Sequence, residues 1–418
     1  RTWEDLECVL KKVNSYKLFI GITFSYQFNW ALMTTVSMVF MVTVAGLDPL
    51  QMVLVGTVLE LSAFLFEIPT GIVADVYSRR RSIIIGYFMV GSGYMLLGLF
   101  PRFDVILLSQ VIWGVGSTFL SGASQAWISD EIGEEKANRL FLIASQYGKI
   151  GSLIGIGVCI ALATIDLRLP IILGSLGLVL ISLFSFFFMD ERFFRPVTEE
   201  NRQTWLQLAG MFDQVVLLVR SSRVLWVFIV IAMCEGMYSE GYDRLFAPFL
   251  VESFEFPILV GLDTVIWWGV MSTGSTVLAF VAVDIVRRFI DTSNYRHLVM
   301  VLTIVSALLA AFTFSFALAG NFYIALLAYL GVAMLRSVKD PLFTALLNQN
   351  LESTTRATVL SIQAQADALG QIGGGPTIGV IGKFVSIQVA LITSTITLIP
   401  TIGLYRLVLR EKQGYNLD

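Results

Sequence analysis

Five ionisable residues, Glu60, Lys149, Glu235, Arg336 and Asp367, stand inside stretches of sequence that are otherwise apolar. In hydrocarbon an ionised side chain costs several kcal/mol unless it faces protein or water, so such residues are candidates for handling ions or polar solutes. Desolvation raises the pKa of a buried carboxylate. Such a group can bind and release a proton near neutral pH as water reaches it and withdraws. Glu235, Asp367 and Glu60 are the candidates for this role, in that order. Polar neighbours strengthen them: Ser239 and Tyr242 follow Glu235 at i+4 and i+7, Asp367 follows Gln363 at i+4, and Lys149 follows Gln146 at i+3. On a helix each set forms one face, which would be wasted against lipid.

Other charges in these stretches have local explanations. Glu240 and Arg244 have the spacing of an intrahelical salt bridge, and Arg336 has Asp340 one turn on. Glu67 is close enough in sequence to join a charged cluster beside Asp75, and Asp263 sits early in its run, where water reaches it.

The elements that must position these residues are membrane-spanning helices. The chain has 418 residues, 56% hydrophobic and 14% charged, with a mean hydropathy of +0.78. A water-soluble fold could not hide that much apolar surface. About twelve runs are long enough to cross a bilayer. They begin near Tyr16, Pro49, Ser82, Asp104, Leu140 and Leu169, then near Val224, Pro257, Leu298, Phe322, Ala357 and Ile387. The runs are continuous rather than alternating, which excludes a β-barrel. Most of the Lys and Arg fall on the side of both termini, while Arg102, Arg168 and Lys383 fall in alternate loops. The positive-inside rule therefore places both termini in the cytoplasm of a plasma (inner) membrane protein. The charged leader before the first run lacks a small-residue cleavage site, so that run is expected to be a retained span.

The longest polar interval divides the runs six and six. It sets the expected boundaries: an N-terminal six-helix bundle over 1–189, a linker over 190–222 and a C-terminal bundle over 223–418. Within the linker, Trp205 to Arg220 has the periodicity of a helix lying on the membrane surface. The halves echo each other. Asp75-x-x-x-Arg79-Arg80 follows span 2 and Asp284-x-x-x-Arg288 follows span 8; spans 5 and 11 open on Arg139 and Arg356, each with a Gln seven residues later, at Gln146 and Gln363.

This plan and the stretch "GIVADVYSRRRS" from Gly71 resemble the major facilitator superfamily over essentially the whole chain. Gly71, Asp75, Arg79 and Arg80 match that family's loop motif, while Ser78 stands where its Gly is usual. The preceding "FEIPTG" is similar to a subgroup of bacterial exporters. The resemblance implies an all-α integral membrane protein of about twelve helices in two bundles, working by alternating access. It also implies that Asp75 and Arg79 latch the bundles in one state, with Asp130, Arg139, Asp284 and Arg288 as further members of the charged loops. Spans 1 and 7 line the cavity in the family. Tyr26, Trp30, Tyr238 and Tyr242 are thus placed to hold an amphipathic ligand by stacking and cation–π contact. The polar faces of spans 5, 7 and 11 are expected to converge on the same cavity.

Proton-coupled export of small amphipathic organic compounds is the expected activity. Buried carboxylates favour cationic or zwitterionic ones, with Lys149 and Arg336 keeping anions open. A proton-coupled importer of a nutrient or metabolite, or a non-transporting sensor or scaffold, would share the same helices. Two features depart from the proton-coupled exporters: Gly375-Pro376-x-x-Gly379 stands on span 11 rather than span 5, and Gln110 stands where many members carry Arg.

Enzymatic chemistry is not expected. The single His297 cannot build a Ser-His-Asp triad or a two-His metal site, and no P-loop is present. Cys8, Cys159 and Cys234 have no metal or disulfide spacing. No cofactor, metal or nucleic acid is implied. The expected partners are a small-molecule substrate, protons and the bilayer, and a monomer is expected.

Overall fold

The computed structural model describes residues 14–194, 223–257, 264–349 and 353–414, and among them every regular element is a helix. In chain order these are α1 (Ser15–Thr43), α2 (Pro49–Val76), α3 (Arg79–Leu99), α4 (Phe103–Leu120), α5 (Ala123–Ile132), α6 (Glu134–Ala163) and α7 (Arg168–Phe188). They continue with α8 (Arg223–Ser253), α9 (Ile266–Phe289), α10 (Tyr295–Ala317), α11 (Phe322–Asn348), α12 (Ser353–Phe384) and α13 (Ile387–Gly414). Trp205 to Arg220 lies outside the described residues, as does Asp263.

Local chemistry sets many of the ends. The side chains of Asn14, Ser78, Asn294 and Asn321 accept hydrogen bonds from the first turns of α1, α3, α10 and α11, satisfying donors that a helix start leaves open. Gly122 (φ 69°) and Gly133 (φ 84°) adopt backbone conformations that L side chains resist, and there α4 gives way to α5 and α5 to α6.

Ten of the helical segments, with α4 and α5 counted as one, are long and apolar enough to cross a membrane. α1 and α12 are equally long, at 29 and 32 residues, but polar side chains dilute them: Tyr26, Gln27 and Asn29 on one, Gln363, Gln365, Asp367 and Gln371 on the other. The lipid-facing surface is legible on α7, where Leu173, Leu176, Leu180, Leu183 and Phe187 are exposed at helical spacing.

The chain forms two compact units, residues 1–45 with 58–203 and residues 46–57 with 204–418. In the first, α1 packs on α6 and α7, and α3 on α4 and α7; in the second, α8 packs on α12 and α13, and α10 on α11 and α13. Numbered by span, these four pairings correspond between the units, as in a duplicated unit, and the second unit adds the packing of α9 on α11. Small residues let the helices close. An added Cβ at Gly151 or Gly155 of α6 would meet the backbone of Phe24 or Phe28 on α1, and one at Gly370 of α12 would meet that of Met233 on α8.

The expected span starts agree within a few residues except at two places. α6 begins at Glu134, six residues before Leu140, because Gly133 is the only breaker there and the charged turn simply continues the helix. α9 begins at Ile266, not at Pro257: Glu255 to Pro257 lies outside any helix, and Trp267 donates its indole N–H to the Pro257 carbonyl at 2.8 Å.

Candidate functional site

The second unit carries a row of ion pairs between α8 and α11. Glu235 Oε1 lies 2.7 Å from Lys339 Nζ, with side-chain exposures of 19% and 3%. Tyr405 of α13 donates its hydroxyl to the same carboxylate at 3.5 Å. Farther along α8, Asp243 receives both terminal nitrogens of Arg336, at 2.5 and 2.9 Å, and the Arg336 guanidinium sits 6.0 Å from the Tyr238 ring centre. The pairing of Arg336 with Asp340 is therefore corrected. Its fork reaches across to α8, where a bidentate carboxylate offers more than a neighbour one turn along its own helix. Glu240 and Arg244 pair within α8 at 3.3 Å, as their spacing indicated, and both are buried.

Lys339 is the functional candidate that the sequence hides. Asp340 and Pro341 follow it, a pattern that ordinarily ends a helix, yet α11 runs on to Asn348. Its position three residues after Arg336 on a continuous helix is the signal that could have placed it.

The remaining residues divide between the units. In the second, Asp367 is half-buried and accepts the Gln371 amide at 2.8 Å. Gln363 is half-buried one turn before it. The Asp367 backbone carbonyl approaches Gly236, so α8 and α12 pack closely beside Glu235. Tyr238 and Tyr242 are each 2% exposed; Tyr238 shares a hydrogen bond with Thr313 at 3.0 Å, and Tyr242 stacks against Phe246. In the first, Glu60 is half-buried on α2, and Gln146 and Lys149 are exposed on α6. Trp30 belongs to an aromatic cluster, stacked on Tyr26 at 5.9 Å and 5.6 Å from Trp113, which in turn is 4.9 Å from Tyr94. Gln110 is buried at 2% with its amide on Ser109.

The charged loop of the first unit is built around Arg79. Its guanidinium pairs with Asp130, donates to the Ala126 carbonyl at 2.9 Å and lies 4.0 Å from Asp75, which is 61% exposed. Gly71 sits half-buried on α2, two turns before Arg79's loop. Arg80 donates its backbone N–H to Glu191 at 3.1 Å and its guanidinium to the Phe186 carbonyl. Arg139 pairs locally with Glu135 at 3.8 Å, both strongly exposed. Glu67 accepts the Ser121 hydroxyl at 2.8 Å. In the second unit Asp284 and Arg288 pair at 2.7 Å. Outside the spans, Asp48 accepts from the Gln51 N–H and from Lys383, each at 2.9 Å. Burial pushes its carboxyl up, but these donors outweigh that and hold it below the usual carboxylate range.

Ser78 explains one departure from the family motif. Its φ of 179° is extended backbone that any residue adopts, so glycine is not needed there. Its hydroxyl donates to Glu191 at 2.5 Å and accepts the Arg81 N–H at 3.0 Å, tying the start of α3 to the segment after α7. Ser78→Ala is expected to lower stability by about 1 kcal/mol, and Ser78→Gly by less, as at other N-caps. Thermal unfolding in detergent checks this; an Ala variant as stable as the parent would remove the cap from the account.

A multi-pass helical membrane protein with two repeated units, a charged inter-helix loop and ion pairs inside its spans is the class that the fold and these residues define. The chain belongs to the Major Facilitator Superfamily, whose model matches residues 18–375. It is 24% identical to the uncharacterized MFS-type transporter YxaM of Bacillus subtilis (strain 168) over 376 residues, covering 88% of this chain and 89% of that protein. It is 20% identical to Multidrug resistance protein 2 of the same organism over 341 residues, covering 81% of each. A solved POT family transporter, in complex with a thioalcohol-conjugated peptide, superposes with a TM-score of 0.73 at 14% identity, covering 95% of this chain and 96% of that one; at that identity the likeness concerns the fold.

Proposed function

We propose that the chain is a secondary active transporter that exports small amphipathic organic compounds in exchange for protons, with Glu235 as the proton-accepting group. One observation carries this reading: Glu235, partly reachable, is paired with the almost wholly buried Lys339. Protonating Glu235 removes the counter-charge of a lysine that cannot easily be solvated where it lies. Stranding a buried charge in this way costs about 3–5 kcal/mol. A proton thus has very different affinities for a state in which the pair is closed and one in which Lys339 finds another partner. A ligand or proton drives alternation only through such a difference.

The other residues have proposed parts in the same cycle. Glu60, Lys149, Gln146, Gln363 and Asp367 are the groups that would meet substrate or proton along the route. The aromatic cluster of Tyr26, Trp30, Tyr94 and Trp113 suits an amphipathic ring system. Asp75, Arg79 and Asp130 would stabilise one state of the cycle; ion pairs that keep contact with water, as these partly buried ones do, are worth about 0–1 kcal/mol each and suit contacts that must also open. The likeness to a multidrug resistance protein is in keeping with small organic compounds as substrates.

Inside-out vesicles with an acidic interior test the proposal. Accumulation of a fluorescent amphipathic cation such as ethidium is expected, collapsing when the pH gradient is dissipated and absent in the Glu235→Gln/Lys339→Met variant. Accumulation only in right-side-out vesicles would make the protein an importer, and no flux across a broad panel of compounds would remove transport itself.

A further inference from the structure

The first unit contains a cavity of about 460 Å³ at the end where α3 begins and α4 stops. It is remote in chain and chemistry from the α8–α11 ion pairs. The break between α4 and α5 opens it: at Gly122 the backbone turns through φ 69°, so that Ser121 and Ser124 face the space left between α1 and α3. Tyr26 and Tyr87 form aromatic walls, their ring centres 5.6 Å apart and tilted by 50°, and Trp127 lines it with them. The volume lies within the range of small-molecule sites, and the lining mixes aromatic surface with a few polar groups, as such sites do.

No residue that lines it carries a charged side chain. An entering cation would find no carboxylate in the lining itself, the Glu67 carboxylate behind it being engaged by Ser121, whereas a neutral ring system would gain aromatic contact. The hydroxyls narrow the class further. Thr23 donates its hydrogen to the Phe19 carbonyl at 2.8 Å, Ser117 to the Gly114 carbonyl at 2.7 Å and Ser121 to the Glu67 carboxylate at 2.8 Å. A hydroxyl has one hydrogen, so with it spent these three oxygens offer the cavity only lone pairs. These three oxygens therefore favour ligands that bring their own donors, while the Gln125 amide at the exposed edge can donate in its turn.

We propose that this cavity, which shares Tyr26 with the aromatic cluster assigned above to the transported compound, is a second ligand site, taking uncharged aromatic compounds that carry hydrogen-bond donors. It does not rest on the proposed proton exchange, because equilibrium binding there needs neither a gradient nor Glu235.

The test uses the full chain with Cys8, Cys159 and Cys234 replaced and Gln125→Cys, at the cavity's exposed edge, as reporter. 1-Naphthol and 1-methoxynaphthalene share one ring system and differ by a single donor. 1-Naphthol is expected to slow alkylation of the reporter by N-ethylmaleimide, and its methyl ether to need about two- to tenfold more free compound for the same protection, the range for one net hydrogen bond. Thr23→Val keeps the shape and removes an acceptor. It should weaken protection by 1-naphthol about two- to tenfold while leaving that by the ether unchanged, which also shows that the variant is folded. Glu235→Gln/Lys339→Met should be protected like the parent, so this site and the transport cycle stand or fall separately. Equal protection by both compounds, protection by neither, or protection by tetraphenylphosphonium as strong as that by 1-naphthol would overturn the proposal.

Discussion

Glu235→Gln is expected to lower stability by about 3–5 kcal/mol, the cost of breaking a buried ion pair from one side. Lys339→Met should cost less. The asymmetry follows from burial: Lys339 is 3% exposed and Glu235 19%, so removing the carboxylate strands the deeper charge, whereas removing the lysine leaves a group that water can reach or that a proton can neutralise. The Glu235→Gln/Lys339→Met variant should regain most of the stability, since replacing both members of a buried pair by neutral groups of similar size is often neutral or better. It should nonetheless fail to couple flux to a pH gradient. Denaturation midpoints in detergent give the stability order, and vesicle uptake gives the coupling. A double variant that still accumulates substrate on a proton gradient would remove Glu235 from the proton path; a double variant less stable than either single one would show that the pair is not what each residue is there to satisfy.

Much of the architecture was legible because lipid imposes a simple rule: a span must be a continuous apolar helix long enough to cross. The runs from Pro49, Phe322 and Ile387 become helices starting at those residues. Where the rule stops, so does legibility. The charged turn Glu134 to Arg139 has no breaker, so α6 extends beyond the apolar run, and α9 begins at Ile266 rather than at Pro257. The candidate charges are a different case. Hydropathy reveals that Glu235 and Arg336 are out of place, but not what answers them. Arg336 has a carboxylate one turn away at Asp340 and another 93 positions back at Asp243, and only the packing of α8 beside α11 chooses the second. Lys339 was hidden by the proline after it. Glu240 and Arg244, by contrast, were legible as a pair because helix geometry alone brings i and i+4 together.

Gly236→Ala is expected to be the most disruptive single-methyl change in the second unit. A Cβ there overlaps the Asp367 carbonyl oxygen and comes within 3.1 Å of the Gln371 backbone nitrogen, and backbone atoms of a helix cannot turn aside as a side chain can. α8 and α12 would have to separate, losing the close contact that membrane helices rely on in place of a hydrophobic drive. Overpacking of this kind costs about 1–3 kcal/mol, and more where nothing can relax. Gly373→Ala, on the same α12, provides the contrast: an added Cβ meets nothing within 4 Å, and alanine's higher helix propensity should make the change neutral or stabilising by up to about 1 kcal/mol. Because the crowded contact lies between Glu235 and Asp367, Gly236→Ala should also reduce gradient-driven flux in whatever protein still folds, while Gly373→Ala leaves it intact. Unfolding midpoints and vesicle uptake for the two variants decide the matter: equal stability would mean that α8 and α12 do not meet at Gly236.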